Sequence, residues 1–136
     1  MDKKAEVNGG FMLLNQSQVA ANASLAEIID AVAQAYIQFS EGKTLLPPIV
    51  SMELADRNAE LDVKTGFIHS NNMIGVKLAS GFYNNYKLYG LPSWPSIIIL
   101  SDGDTGFPCA VMDGGYITTA RTGAAGAVAA RALARQ

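Results

Sequence analysis

One sequence feature limits the possible folds more than any other. It is a strand followed by a glycine turn and then by a run of very small residues. Segment 111–131 reads VMDGGYITTARTGAAGAVAAR, and its first residues are typical of a buried strand. The DGG triplet predicts a turn, and the alanine-rich run after it predicts a helix over 120–136. Thr118 or Thr119 is the expected N-cap, because a hydroxyl can accept hydrogen bonds from the free N–H groups of a helix's first turn.

A helix with that start places Arg121 and Thr122 in its first turn. Backbone N–H groups there lack intrahelical partners, and the helix dipole makes this end positive. A guanidinium beside such donors suits an anion, either a carboxylate or a phosphate. The alternative is an ordinary surface arginine next to a tight turn, and spacing alone favours that plainer interpretation.

An alternating strand supplies the second candidate binding residue. Residues 73–80 read MIGVKLAS, so Lys77 shares one strand face with Gly75 and Ala79. Its apolar neighbours point to the other face: Ile74, Val76 and Leu78. The small side chains leave space beside the ammonium, as a ligand pocket requires. The alternative is a lysine that faces solvent or protects a sheet edge, and the strand alone favours this second interpretation.

The remaining pattern predicts a single domain over 1–136, of the α/β or α+β class, with a mostly antiparallel sheet and flanking helices. Ser24 and Glu27 form a capping box before an amphipathic helix that ends at Gly42. Residues 1–10 are expected to be a loose polar start. The other expected elements are strands at 11–14, 61–68 (which carries Lys64), 97–100 and 107–112, and a long loop at 80–96.

Composition argues against several classes of partner. The net charge is −2 and the basic residues are scattered, which argues against nucleic acid and against an acidic membrane surface. Only 16% of the residues are charged, so we expect another subunit or further chain to cover part of the apolar surface. A lone cysteine, Cys109, indicates a reducing, cytoplasmic setting. A lone histidine, His69, offers no second ligand for a transition metal, and none is expected.

Four motifs together resemble the ornithine cyclodeaminase/mu-crystallin family. They are GFIHSNNMIGVK, KLASGFYNN, GLPS and AVMDGGYITTARTGAAGAVAA, and the resemblance extends over residues 11–131. The RTGAAGAVA block is the most specific part. The resemblance implies an amino-terminal sheet-and-helix domain that binds the substrate and forms a homodimer. It also implies a Rossmann domain carrying NAD or NADP later in the chain.

The same resemblance implies roles for individual residues. Lys77 and Arg121 match the lysine and the arginine that hold the substrate's carboxylate, and Thr122 matches the position that approaches the cofactor. The implied reaction is hydride transfer between an amino acid's Cα and a nicotinamide. In cyclodeaminases, ring closure with loss of ammonia follows, while other members only oxidise amino acids or reduce cyclic ketimines. Lys77 is also a candidate for proton transfer if Arg121 lies close enough to lower its pKa.

Two departures from the family pattern limit these implications. The stretch 47–53 reads PPIVSME and lacks an arginine that many members carry there. This departure puts ornithine specificity in doubt and leaves open whether Lys64 takes the arginine's place. No G-x-G-x-x-G sequence occurs, although a dinucleotide site needs one within a βαβ unit. We therefore expect an amino-terminal fragment or truncated product with little or no activity; the alternative is a non-catalytic dimerisation or small-ligand-binding module.

Overall fold

One mostly antiparallel sheet and four helices make up the fold of the described residues. The computed structural model describes residues 10–134. The strands are β1 (Met12–Leu14), β2 (Thr44–Leu45), β3 (Val50–Leu54), β4 (Ala59–Ile68), β5 (Met73–Phe82), β6 (Ser96–Asp102) and β7 (Pro108–Asp113). The helices are α1 (Gln16–Ala21), α2 (Leu25–Ser40), α3 (Asn85–Tyr89) and α4 (Gly115–Leu133), with short 3₁₀ turns at Ala55–Arg57 and His69–Asn71.

Strand order in the sheet is β1-β7-β6-β5-β4-β2, and β3 also pairs with β4. Only the β1–β7 pair is parallel among the described strands; the others are antiparallel. The longest strands, β4 and β5, are neighbours in this order and pair along their whole length. The predicted fold class is therefore confirmed.

The two faces of the sheet differ in what covers them. One row across the sheet consists of Leu14, Met112, Ile98, Lys77 and Lys64, and we call the face bearing this row the helix face. Residues of α1, α2 and α4 lie over the end of this row that holds Leu14 and Met112. The next row consists of Leu13, Val111, Ile99, Val76 and Thr65, and we call its face the open face. Leu13 and Ile99 are exposed there.

Local signals placed most of these elements correctly. The predicted capping box is present, since the Ser24 hydroxyl accepts from the Glu27 N–H and the Glu27 carboxylate accepts from the Ser24 N–H. The predicted strands correspond to β1, β4, β5, β6 and β7. Four elements escaped the sequence analysis: α1 and β2, which no sequence pattern indicated, β3, where a mixed apolar pattern gave no clear assignment, and α3, inside the expected loop.

The predicted start of the last helix is wrong. α4 begins at Gly115, with Gly114 as its N-cap, so Thr118 and Thr119 lie inside the helix. Their hydroxyls donate to backbone carbonyls four residues earlier, at 2.6 Å for Thr118 and 3.2 Å for Thr119. Each of these hydroxyls thus has its hydrogen-bond acceptor within the helix itself. Residues 1–9 of the expected loose start and the last two residues of the expected helix lie outside the described range.

Within residues 10–134, no helix has the length and apolar character needed to cross a membrane.

Candidate functional site

Lys77 lies at the centre of the helix face, where β5 meets the start of α4. Its ammonium donates a hydrogen bond to Thr118 Oγ1 at 2.6 Å. The Thr118 hydroxyl in turn donates to the carbonyl oxygen of Gly114 at 2.6 Å. Lys77 is therefore attached to the first turns of α4, although 41 positions separate it from Thr118 in sequence.

A close packing contact fixes α4 at this point. The Gly114 N–H donates to the Ser96 carbonyl at 2.8 Å, and the Ser96 side chain is almost completely buried. A Cβ at Gly114 would lie 2.5 Å from Ser96 Oγ, closer than real Cβ contacts allow. The Ser96 hydroxyl is itself 3.4 Å from Thr118 Oγ1. The absence of a side chain at Gly114 thus lets the helix reach the serine and the lysine.

The electrostatic environment of Lys77 is positive. Partial burial lowers the pKa of Lys77, and the charges of Arg121 and Lys64 lower this pKa further. The ion pairs found among residues 10–134 include neither Lys77 nor Arg121. In the described part of the protein, the lysine's hydrogen-bond partner is a neutral hydroxyl rather than a carboxylate. An anion brought to this place would meet two uncompensated positive charges.

Lys64 is the direct cross-strand neighbour of Lys77. Its ammonium is engaged with Asp62, at 2.8 Å from the carboxylate, and Asp62 also accepts from the Ser51 hydroxyl at 2.7 Å. Hydrogen bonds from Lys64 and Ser51 lower the pKa of Asp62. Lys64 therefore brings its own counter-charge to the site, which Lys77 does not.

A cavity of about 530 Å³ adjoins both lysines. Gly66 and Gly75 line it together with apolar side chains such as Leu46, Ile98 and Leu100. The predicted alternation of β5 is thus confirmed, since Gly75 and Lys77 share one face and leave open space there. A volume of this size suits a small organic molecule. The site can present an ammonium to a small acid in an open pocket with a largely apolar lining.

Arg121 does not occupy the position predicted for it. It lies in the second turn of α4, where N–H groups already donate within the helix, so the predicted helix-start anion site is wrong. At the true helix start, the Gly115 N–H donates to Asp113 Oδ1 at 2.8 Å. Arg121 itself is exposed and lines a second, apolar cavity of about 450 Å³ between α1, α2 and α4. It is nevertheless near enough to Lys77 to lower that residue's pKa.

Thr122 is the residue predicted to approach the cofactor. Thr122 is exposed, and its hydroxyl donates to the Thr118 carbonyl at 2.7 Å. No G-x-G-x-x-G sequence occurs in the chain. A strand, a glycine-rich turn and a helix in βαβ order are what normally cradle a dinucleotide's pyrophosphate. The predicted cofactor contact of Thr122 stays a prediction.

Sequence reasoning missed the three residues that fix Lys77, namely Ser96, Gly114 and Thr118. The neighbours of Gly114 in sequence indicate only a turn there, and those of Thr118 indicate a possible N-cap. Their common function depends on the pairing of β5 with β6, which places Ser96 opposite Ala79. Lys77 lies two residues before Ala79 and shares its face of the sheet. No local signal in the sequence reveals that neighbourhood.

Comparisons with known proteins agree with this fold. A sequence model describing the ornithine cyclodeaminase/mu-crystallin family matches residues 10–136. The alanine dehydrogenase of Archaeoglobus fulgidus is 36% identical over 125 residues, which are 92% of this chain and 37% of that enzyme. Among the curated relatives it matches, the chain spans about a third of their length: 33%, 28% and 37% for three of them.

Two solved structures are similar over the same region. Delta(1)-pyrroline-2-carboxylate reductase of Thermococcus litoralis, solved with NADH and L-proline, has a TM-score of 0.88 and 34% identity. An archaeal alanine dehydrogenase, solved as a dimer with bound NAD, has a TM-score of 0.86 and 35% identity. Each match covers 92% of this chain and 38% of the other chain. NAD is thus the cofactor found with proteins of this kind.

Proposed function

This chain belongs to the ornithine cyclodeaminase/mu-crystallin family, and from that premise we propose that it is the substrate-binding part of an NAD(P)-dependent enzyme of amino-acid metabolism. The parent enzyme oxidises an amino acid to an imine or reduces an imine, with cyclising deamination as a further possibility within the family. Residues 10–134 contribute the side chains that bind the substrate's carboxylate. The nicotinamide supplies or accepts the hydride when bound to the whole enzyme.

The observation that carries this proposal is the uncompensated charge of Lys77. Removing an ammonium from water is unfavourable unless a partner restores its hydrogen bonds. Lys77 is partly buried, has a neutral hydroxyl as its partner, and has Arg121 and Lys64 close enough to repel it. A carboxylate would relieve that repulsion and accept the ammonium's remaining hydrogen bonds. Such a carboxylate held in place would orient an attached Cα for hydride transfer.

Small amino and imino acids are the proposed substrates. The open pocket beside Lys77 is lined largely by glycines and aliphatic side chains, which suit a short or cyclic aliphatic body rather than a long polar one. The relatives named above act on alanine and on pyrroline-2-carboxylate. Lys64, which already has Asp62 as a partner, is assigned a lesser part in binding.

Binding of L-alanine and L-proline to the chain, followed by NMR chemical-shift changes, tests the proposal. We expect Lys77→Met to weaken binding roughly 10- to 100-fold, because a hydrogen bond to a charged group contributes about 1.5–3 kcal/mol. Arg121→Met should also weaken binding, through the loss of a nearby positive charge, and Lys64→Met should do so to a smaller extent. Lys87→Met is the matched control, since Lys87 is an exposed lysine on α3. Equal affinities in Lys77→Met and Lys87→Met would contradict the proposal.

Carboxylate binding should also depend on pH in a characteristic way. The ammonium form of Lys77 is the binding form, so affinity is full below the pKa of Lys77 and falls as pH rises through it. Burial and the charges of Arg121 and Lys64 lower this pKa, so the fall should begin at a lower pH than an ordinary lysine would give. The same titration on Lys77→Met should show no such fall; a fall that persists there would assign the effect to another group.

We also propose that the chain forms a homodimer through the open face of its sheet. Leu13, Leu78, Ile97 and Ile99 are all exposed there, and Leu78 lies directly opposite Ile97 in the β5–β6 pair. Exposed apolar side chains on a sheet face favour packing against a second sheet. The similar archaeal alanine dehydrogenase is a dimer. A non-catalytic dimerisation module is therefore the second candidate function. For either function we propose a reducing, cytoplasmic setting, which the single cysteine favours.

A further inference from the structure

Thr118 has a fixed hydrogen-bond direction. A hydroxyl has one proton to donate, and Thr118 donates that proton to the Gly114 carbonyl at 2.6 Å. Its contact with Lys77, also at 2.6 Å, must then be one in which the lysine donates and the hydroxyl accepts. An ammonium has three N–H donors. One of them is committed to Thr118, and two remain for other partners.

The place of Thr118 is itself strongly determined. Its carbonyl partner, Gly114, is the N-cap of α4 and donates its own N–H to the Ser96 carbonyl at 2.8 Å. Ser96 is almost completely buried, and its hydroxyl lies 3.4 Å from Thr118 Oγ1. The acceptor offered to Lys77 is thus held by both the helix start and the neighbouring strand. A flexible lysine side chain gains one preferred position from such an acceptor.

The charges around the ammonium act against that position. Arg121 of α4 and Lys64 of β4 repel it, and Asp62 of β4 is bonded to Lys64 rather than to Lys77. From β6, the residue opposite Lys77 is Ile98, which offers no polar atom. Thr118 is the group in the described part of the chain that is bonded to the ammonium. Without it, repulsion would favour other rotamers, directed away from Arg121.

We propose that Thr118 is a positioning residue for Lys77, holding the ammonium between β5 and α4 so that its two other N–H donors are available to a carboxylate. This role rests on the carboxylate-binding function proposed for Lys77. Thr118 need not touch the substrate, because it acts through the lysine. Its loss should change the ionisation of Lys77 even when no ligand is present.

Thr118→Val and Thr118→Ser separate the hydroxyl from the packing of the side chain. Valine keeps the shape and removes the acceptor, whereas serine keeps the acceptor. Titration of the Lys77 side-chain NMR signal, assigned by its loss in Lys77→Met, should give a lower pKa in Thr118→Val than in the parent, since the charged form loses its hydrogen bond. Thr118→Ser should titrate like the parent. Affinity for L-alanine should fall roughly three- to tenfold in Thr118→Val and stay near the parent value in Thr118→Ser.

Thr119→Val is the matched control. Thr119 is the next residue of α4, is exposed, and donates to a carbonyl four residues earlier as Thr118 does, without contacting Lys77. If Thr118→Val and Thr119→Val leave the Lys77 titration equally unchanged, or if Thr118→Ser shifts it as far as Thr118→Val, the positioning role is wrong. If the titration shifts as expected while no variant or parent binds a carboxylate, the positioning role stands and the proposed function fails.

Discussion

Ile99→Glu is expected to leave the chain monomeric at concentrations at which the parent chain is a dimer. Ile99 lies in the middle of the open face, between Val76 and Val111 in its row, and 37% of it is exposed. In a monomer, the new carboxylate can remain hydrated at this position. Between two packed sheets it would be removed from water without a partner, at a cost of roughly 3 kcal/mol or more. The dimer's dissociation constant should then rise on the order of 100-fold.

Sedimentation velocity over a concentration series measures this effect, with circular dichroism to verify that the variant is folded. Leu133→Glu is the matched control, because Leu133 is 82% exposed and lies in α4, which packs over the helix face rather than the open face. It should dimerise like the parent chain. A parent that is monomeric at all accessible concentrations, or an Ile99→Glu variant that dimerises as well as Leu133→Glu, would rule out the open face as the interface.

Local sequence signals were sufficient for most of the fold. The Ser24 and Glu27 capping box marks the start of α2 because both partners lie within one helical turn. Alternation over 73–80 gives β5 and its two faces for a similar reason, since neighbouring residues alone determine which way each side chain points. The long-range pairing of strands is different. Nothing in the sequence of β4 alone shows that Lys64 will lie opposite Lys77.

The candidate site shows the same contrast between local signals, which the sequence reveals, and long-range contacts, which it does not. The alternation of its own strand indicates that Lys77 has space around it. The nearness of a helix start is what makes Arg121 a candidate. The start of α4 was misplaced because Ile117, Thr118 and Thr119 are β-branched and follow two glycines, a pattern that opposes helix formation. Packing of Gly114 on Ser96 outweighs that propensity. The same sequence pattern conceals the partner of Lys77, because a Thr118 that caps the helix is not expected to accept a hydrogen bond from the lysine.

Gly114→Ala should destabilise the fold, whereas Gly123→Ala in the same helix should stabilise it. The backbone of Gly114, at φ −96° and ψ −4°, is open to any residue, so the expected cost comes from contact alone. An added Cβ would meet Ser96 Oγ at 2.5 Å and Ser96 Cβ at 3.1 Å. Overpacking of this kind costs about 1–3 kcal/mol. Urea unfolding should show that loss, and the Lys77 titration should shift, since α4 must move away from β6.

Gly123 provides the opposite case within one helix. Its Cβ would meet nothing within 4 Å, and the residue is exposed well inside α4. Alanine there reduces the entropy of the unfolded chain and should raise the free energy of unfolding by about 0.5–1 kcal/mol. The two substitutions add the same methyl group, so their opposite signs would isolate the contact with Ser96 as the cause. Equal effects from both would show instead that the start of α4 can shift freely, and Lys77 would then lack the fixed partner on which its proposed function depends.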